Sequence, residues 1–279
     1  MERNTSSSLR RGLALLDAVR AATPAGGATL SELALAVGVH KSSALRLLQP
    51  MTETGLVRVG HGRYVLGPRT AQLGRVYLDS VDLRALAQPA LRRLVERSGE
   101  SVHLVLPDLP HMVYIDKIDG PGRVRMNSSI GSRQPCHSTG VGRAYLAFAG
   151  SDAVERVIAL GLTARTTRTV TDPDEFRALL AAVRERGYAV DDVENEDDIR
   201  CVAAPVFDHA GTVTAALSVS GLATRVTPER VGPLGELVAA AGHEVSALLG
   251  APPPESPHAG TVSPSARTTP SAPSREDTP

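Results

Sequence analysis

Thr29-Leu30-Ser31-Glu32-Leu33-Ala34-Leu35-Ala36-Val37-Gly38-Val39-His40-Lys41-Ser42-Ser43-Ala44-Leu45-Arg46-Leu47-Leu48 reads as two short helices joined by a tight turn. Thr29 and Glu32 have the spacing of a capping box. The Thr29 hydroxyl accepts from the backbone N–H of Glu32, and the Glu32 carboxylate reaches back to the N–H of Thr29. Leu33, Ala34 and Val37 give the first helix its buried face, and Gly38 ends it. After Val39 and His40 a second helix begins. Ala44, Leu47, Leu48 and Met51 share one face of it, while Lys41, Ser42, Leu45, Arg46 and Gln49 share the other. Two short helices, the second with a polar and cationic outer face, form a helix-turn-helix pattern. Pro50 removes the hydrogen bond to the carbonyl of Arg46 and is expected to kink or end that helix.

Working outward, Leu9, Leu13 and Leu16 mark an earlier amphipathic helix that stops before Pro24 and Gly26-Gly27. On the other side, Leu56-Val57-Arg58-Val59 and Arg63-Tyr64-Val65-Leu66 flank Gly60-His61-Gly62, which reads as a β-hairpin wing. Its strands are expected to bring Arg58 and Arg63 to one edge, within reach of phosphates beside the groove that the recognition helix enters.

The whole chain has 279 residues with 30 basic and 30 acidic side chains, so net charge names no partner. Its distribution says more. Residues 1–70 carry nine basic and four acidic groups, and the remainder carries 21 and 26. A basic first quarter on a neutral chain fits an anion-binding module. Two cysteines, Cys136 and Cys201, make neither a disulfide framework nor a clustered zinc site, and they point to a reducing cytoplasm. Arg10-Arg11 before an apolar run imitates a twin-arginine export signal, but Asp17 and Arg20 cut the run short. No window approaches the roughly 18 apolar residues of a membrane span.

Residues 69–98 read as linker helices, bent or broken between Ser80 and Pro89. Beyond them, strand-like runs (Ser101 to Leu106, Met112 to Ile118, Val202 to Phe207, Val213 to Val219) mix with helical ones (Val141 to Ala149, Ala153 to Leu160, Pro173 to Arg186), which predicts an α+β domain. A packed helix from Val231 ends at Gly250, and the Pro/Ser/Thr-rich residues 251–279 are expected to be disordered.

With these residues in place, the chain resembles the IclR family of bacterial transcriptional regulators over nearly all of residues 9–250. The N-terminal matches are Ser31-Glu32-Leu33-Ala34, Gly38-Val39-His40-Lys41-Ser42-Ser43, Arg46-Leu47-Leu48, Gly55-Leu56-Val57 and Tyr64-Val65-Leu66-Gly67. The C-terminal signature is matched by Gly187, Asp191, Glu194, Cys201, Val202, Ala203, Val206, Phe207 and Asp208. Further blocks are Gly99 to Leu104, Gly140 to Ala144 and Ala215 to Gly221.

The resemblance implies a winged helix-turn-helix domain over residues 9–68, linker helices over 69–98 and a GAF-like effector-binding domain over 99–250. It implies a homodimer or dimer of dimers on a double-stranded DNA operator, controlled by a small organic acid, with no cofactor or metal and no catalysis. DNA contacts are expected from His40, Lys41, Ser42, Ser43, Leu45, Arg46, Arg58 and Arg63. The backbone N–H groups of Gly140 and Val141 would hold the ligand carboxylate. Asp191, Cys201, Ser218 and Ser220 would supply polar contacts, and Met126 and Ile199 apolar ones.

Residue chemistry adds to this reading. Ser218 and Ser220 are two apart on a strand, so both hydroxyls face one side, and Leu217 and Val219 face the other. Asp191 would repel a bound carboxylate unless the ligand offers a hydroxyl or the two share a proton, which favours an acid bearing a hydroxyl or hydrated carbonyl. Gln134 and Arg123 stand where the family places apolar residues; if both line the cavity, its ligand is more polar or more acidic than a glyoxylate-sized acid. Leu45 also departs from the family, either touching a thymine methyl or lying in the core.

Cys201 admits readings as a buried hydrophobe, a reactive thiol or a ligand contact, and the signature favours the last. Cys136 and His137 are sequence neighbours and would point to opposite sides of a strand, which leaves His137 a structural role. The alternative to a regulator is a cysteine hydrolase using Cys201 and Asp191 with a histidine, although no catalytic motif surrounds them.

Overall fold

The computed structural model describes residues 7–80, 82–122 and 128–253. Within them the chain forms two compact units that part between Asp82 and Leu83. The expected tail lies outside the described residues apart from residues 251–253.

The first unit holds α1 (Ser7–Ala22), α2 (Leu30–Val37), α3 (Lys41–Glu53) and α4 (Pro68–Ser80) with strands β1 (Ala28–Thr29), β2 (Val57–Gly60) and β3 (Arg63–Leu66). The capping box is present: Glu32 N donates to Thr29 Oγ1 at 3.3 Å and Thr29 N donates to Glu32 Oε2 at 2.7 Å. Leu15, Val19, Leu33, Ala34, Ala44, Leu48, Val57 and Tyr64 pack together as the core. The wing turns through His61 and Gly62, both left-handed, which suits a two-residue hairpin.

Two expectations are corrected here. The helix containing Pro50 neither stops there nor loses its last turn, since α3 runs on to Glu53. Arg46 and Pro50 both lie on the exposed face, so water can satisfy the carbonyl that proline leaves without a donor. The last turn closes through Thr54, whose N–H and Oγ1 both donate to the Pro50 carbonyl. The wing is also not a free hairpin. β1 pairs with β3, setting Thr29 opposite Arg63, so β3 is the central strand of a three-stranded sheet.

The second unit begins with α5 (Leu83–Ser98), the latter part of the joining stretch. A six-stranded antiparallel sheet follows, in the order β6-β5-β4-β9-β8-β7. Its strands are β4 (Ser101–Asp108), β5 (His111–Ile118), β6 (Arg133–Pro135), β7 (Ala189–Asp192), β8 (Ile199–Phe207) and β9 (Val213–Leu222). Its further helices are α6 (Gly140–Leu146), α7 (Ser151–Ala159), α8 (Pro173–Arg186) and α9 (Pro228–Leu248).

Strand alternation sorts the sheet into two faces. Val102, Leu104, Val202, Ala204, Leu217 and Val219 lie on the face toward α9, where Gly242 allows close approach to Ala204 and Pro205. The opposite face carries Ala189, Ala203, Ala216 and Val105 into a core shared with α6, α7 and α8. That second face turns polar near its centre, at Asp191, Cys201, Ser218, Ser220 and His103. The fold is α+β, with the layering of a GAF-like domain.

Candidate functional site

Strand register builds the polar patch. Asp191 stands opposite Cys201, Cys201 opposite Ser220, Ala203 opposite Ser218, and Ser218 opposite His103. The start of α6 closes over this patch. The approach is close: a Cβ at Gly140 would lie 3.4 Å from Ala203 Cβ and 3.6 Å from both the Asp191 N and the Cys201 carbonyl oxygen, in van der Waals contact with the β7–β8 pair. Thr139 caps α6, its Oγ1 accepting from Gly142 N at 3.2 Å, and its carbonyl accepts from Arg143 N. The N–H groups of Gly140 and Val141, in the first turn of α6, have no intrahelical acceptor.

Gly140, Val141, Asp191, Ile199, Cys201, Ser218 and Ser220 thus line one cleft, together with Tyr114, Thr139, Asn195 and Glu196. Met126 and Arg123 lie outside the described residues. The cleft is tight in this structure, with a free volume of about 20 Å³, roughly room for one water molecule.

Asp191 is 2% exposed, and its Oδ1 accepts from the backbone N–H of Glu194 at 2.8 Å and of Asn195 at 3.2 Å. Burial outweighs these hydrogen bonds and pushes its carboxyl up to about 7. The group can therefore hold or release a proton near neutral pH. Ser218 and Ser220 hydroxyls lie 3.3 Å apart, each 3.5 Å from His103 Nδ1. Burial drives His103 down to about 3, which keeps it neutral.

Sequence reasoning missed His103, Tyr114, Thr139, Asn195 and Glu196. His103 faces Ser218 only through the pairing of β4 with β9, a long-range register that no local pattern carries. Gln134 does not line this cleft; its Oε1 accepts from Asn195 Nδ2 at 3.3 Å from outside it. Cys201 lacks the surroundings of a nucleophile. Burial, with Asp191 nearby, raises its thiol well above the ordinary range, whereas a catalytic thiol is lowered. His137 has a structural bond, its Nε2 lying 2.9 Å from the Thr163 carbonyl.

In the first unit, His40, Lys41, Ser42, Leu45 and Arg46 are exposed and Ser43 is half-buried, so Leu45 lies on the outer face of α3 and not in the core. Arg58 is exposed on the edge strand β2. Arg63 is otherwise engaged: its guanidinium donates to the Gly27 carbonyl at 3.2 Å and to Glu32 Oε2 at 3.4 Å, tying the wing to the start of α2.

Comparison with known proteins agrees with both units. Residues 8–60 match the IclR helix-turn-helix domain, and residues 75–247 match the bacterial transcriptional regulator IclR C-terminal domain. The Transcriptional repressor IclR of Escherichia coli K12 is 38% identical over 248 residues, covering 87% of this chain and 90% of that protein. The HTH-type transcriptional regulator KdgR of the same organism is 36% identical, covering 79% and 85%. Among solved structures, a putative IclR regulator from Silicibacter sp. TM1040 superposes with a TM-score of 0.82 at 28% identity, covering 89% of this chain and 98% of that one. The Agobacterium tumefaciens repressor BlcR gives 0.76 at 26%, covering 90% and 100%. These relatives are regulators and not hydrolases, and with matches that span both units the chain belongs to the IclR family of bacterial transcriptional regulators, DNA-binding proteins with a small-molecule effector domain.

Proposed function

We propose that the cleft under α6 binds a small carboxylic acid bearing a hydroxyl or hydrated carbonyl, and that its occupancy sets the affinity of the first unit for operator DNA. The observation that carries this is that Ser218, Ser220 and an Asp191 whose carboxyl is raised to about 7 line one cleft with Gly140 and Val141 at the start of α6. The N–H pair suits one carboxylate, the serines suit an adjacent oxygen, and protonated Asp191 removes the repulsion that an ionised one would impose. The cleft is nearly filled in this structure, so the acid would favour a wider form. A ligand shifts an equilibrium only by its preference between forms, and a tenfold change in operator affinity needs about 1.4 kcal/mol of such preference.

The protein would act in the cytoplasm as a homodimer or dimer of dimers, with α3 in the major groove and Lys41, Arg46 and Arg58 on phosphates and base edges. Support for pairing comes from α4, where Leu73, Val76 and Tyr77 form an exposed apolar stripe at helical spacing, 55%, 70% and 45% exposed. A second copy of α4 would cover it.

The test is a thermal-shift screen of small hydroxy and keto acids on the whole protein and on a Ser218→Ala/Ser220→Ala variant. An acid that stabilises the first and not the second supports the reading. Equal stabilisation of both, or none by any acid in the panel, overturns it.

A further inference from the structure

A larger cavity, of about 560 Å³, opens beside the inner cleft in the second unit. Its volume lies within the range of small-molecule sites. Gln134, Pro135 and His137 form one wall, and Leu160, Thr163 and Arg165 form the other.

The charge in this cavity is simple. Arg133 at its rim is committed to Asp108. Arg165 is exposed, and among the described residues its guanidinium has no acidic partner, while its backbone N–H is held by Thr169 Oγ1 at 2.9 Å. No acidic side chain is among the lining residues. Leu160, 67% exposed, and Pro135 supply apolar surface. One free guanidinium on a fixed loop, facing apolar surface, matches one carboxylate on an apolar body. The planar fork of arginine takes such a group bidentately, and a dianion would leave a second charge unmatched.

One wall, and the segment that follows the other, are also bonded to loop 193–195, which contributes Asn195 to the inner cleft. Gln134 accepts from Asn195, which lines that cleft. From the opposite side Thr166 Oγ1 donates to the Val193 carbonyl at 2.8 Å and Thr169 Oγ1 to the Glu194 carbonyl at 2.6 Å. Loop 193–195 therefore connects the two spaces: Asn195 lines the inner cleft and bonds to Gln134 of the outer one, and Val193 and Glu194 are held by the segment that carries Arg165.

We propose that the outer cavity is a second ligand site, for a monocarboxylate with an aromatic or branched apolar body held by Arg165 and Leu160, and that its occupancy alters acid binding in the inner cleft through loop 193–195. Only the coupling rests on the function proposed above; binding at the outer site does not. Coupling of this kind is reciprocal, so each ligand changes the affinity of the other by the same factor.

The experiment is a calorimetric titration of the whole protein with benzoate, with neutral benzamide as control. Saturable benzoate binding is expected, about tenfold or more weaker for benzamide, and weakened about tenfold or more by Arg165→Ala and, separately, by Leu160→Asp. The Ser218→Ala/Ser220→Ala variant should keep it within about twofold. Absence of saturable binding at millimolar benzoate overturns the proposal, as does binding that Arg165→Ala leaves intact or that the serine variant abolishes. Identical inner-cleft acid affinity with and without saturating benzoate overturns the coupling. If the inner cleft takes no acid, Arg165-dependent benzoate binding still establishes the outer site.

Discussion

The guanidinium of Arg143 forks onto both carboxylate oxygens of Glu194, with the arginine side chain fully buried. Its Nε also donates to the His137 carbonyl at 2.7 Å and its Nη1 to the Val190 carbonyl at 3.1 Å. α6, β7 and loop 193–195 are thereby fixed to one another, and that is the frame on which the inner cleft is built. Glu194 in turn donates its backbone N–H to Asp191, so the ion pair positions the carboxyl that lines the inner cleft.

Removing one partner leaves the other buried without compensation. Arg143→Ala should therefore cost about 3–5 kcal/mol in urea unfolding, and Arg143→Met with Glu194→Met together should recover most of that loss. A single-variant cost near zero would show that water reaches the pair and that it does not hold the frame.

Asp191 ties stability to pH. Its carboxyl titrates near 7 in the folded chain against an ordinary value of 3.8. Between those values the folded state keeps a proton that the unfolded state has released. Stability should fall as pH rises through that window and level off above it. Asp191→Asn, which keeps an oxygen for the Glu194 and Asn195 N–H groups, should flatten the fall and raise the melting temperature relative to the parent at pH 8. Parallel melting curves from pH 4 to pH 8 for the two proteins would show that Asp191 is already ionised at low pH.

The helices and long strands of both units were legible because their patterns are local. The capping box at Thr29 and the alternation around Ser218 need only a few neighbouring residues. What escaped was short or distant. β1 has two residues, too few for a periodicity, yet its pairing with β3 removed Arg63 from the free edge and gave it to Glu32. β6 and β7 are three and four residues long and exist as strands only through their partners. The same limit hid part of the inner cleft: Tyr114 and Asn195 enter it from elements that touch only after the sheet and its loops are assembled.

This relocation of Arg63 separates three arginines that otherwise look alike in the sequence. Arg46 and Arg58 project from exposed positions on α3 and β2, so replacing either by alanine should reduce the salt dependence of duplex DNA binding by about one counterion. Arg63→Ala should instead lower the melting temperature of the first unit, because it releases Gly27 and Glu32, and change the salt slope little. Binding isotherms across a salt series, with no knowledge of the operator, measure all three slopes. Equal slopes for the parent and the Arg46 and Arg58 variants would remove both from the DNA interface.

Two glycines in α6 serve different ends, and substitution should tell them apart. A Cβ at Gly142 would lie 2.2 Å from the Cys136 carbonyl oxygen and 2.3 Å from Cys136 Cα, both backbone atoms that cannot step aside. Gly142→Ala must therefore lift α6 from its seat, with an expected loss of about 3 kcal/mol or more. At Gly140 the nearest atom is Ala203 Cβ at 3.4 Å, a contact that a small shift relieves. Gly140→Ala should remain folded within about 1 kcal/mol of the parent, since alanine also suits a helix better than glycine does. The added methyl occupies space between α6 and the Asp191–Cys201 pair, so stabilisation by a cleft-binding acid should disappear while benzoate binding at the outer cavity persists. Urea unfolding and thermal shift on the two variants decide the matter. An intact acid response in Gly140→Ala would place the ligand away from the start of α6.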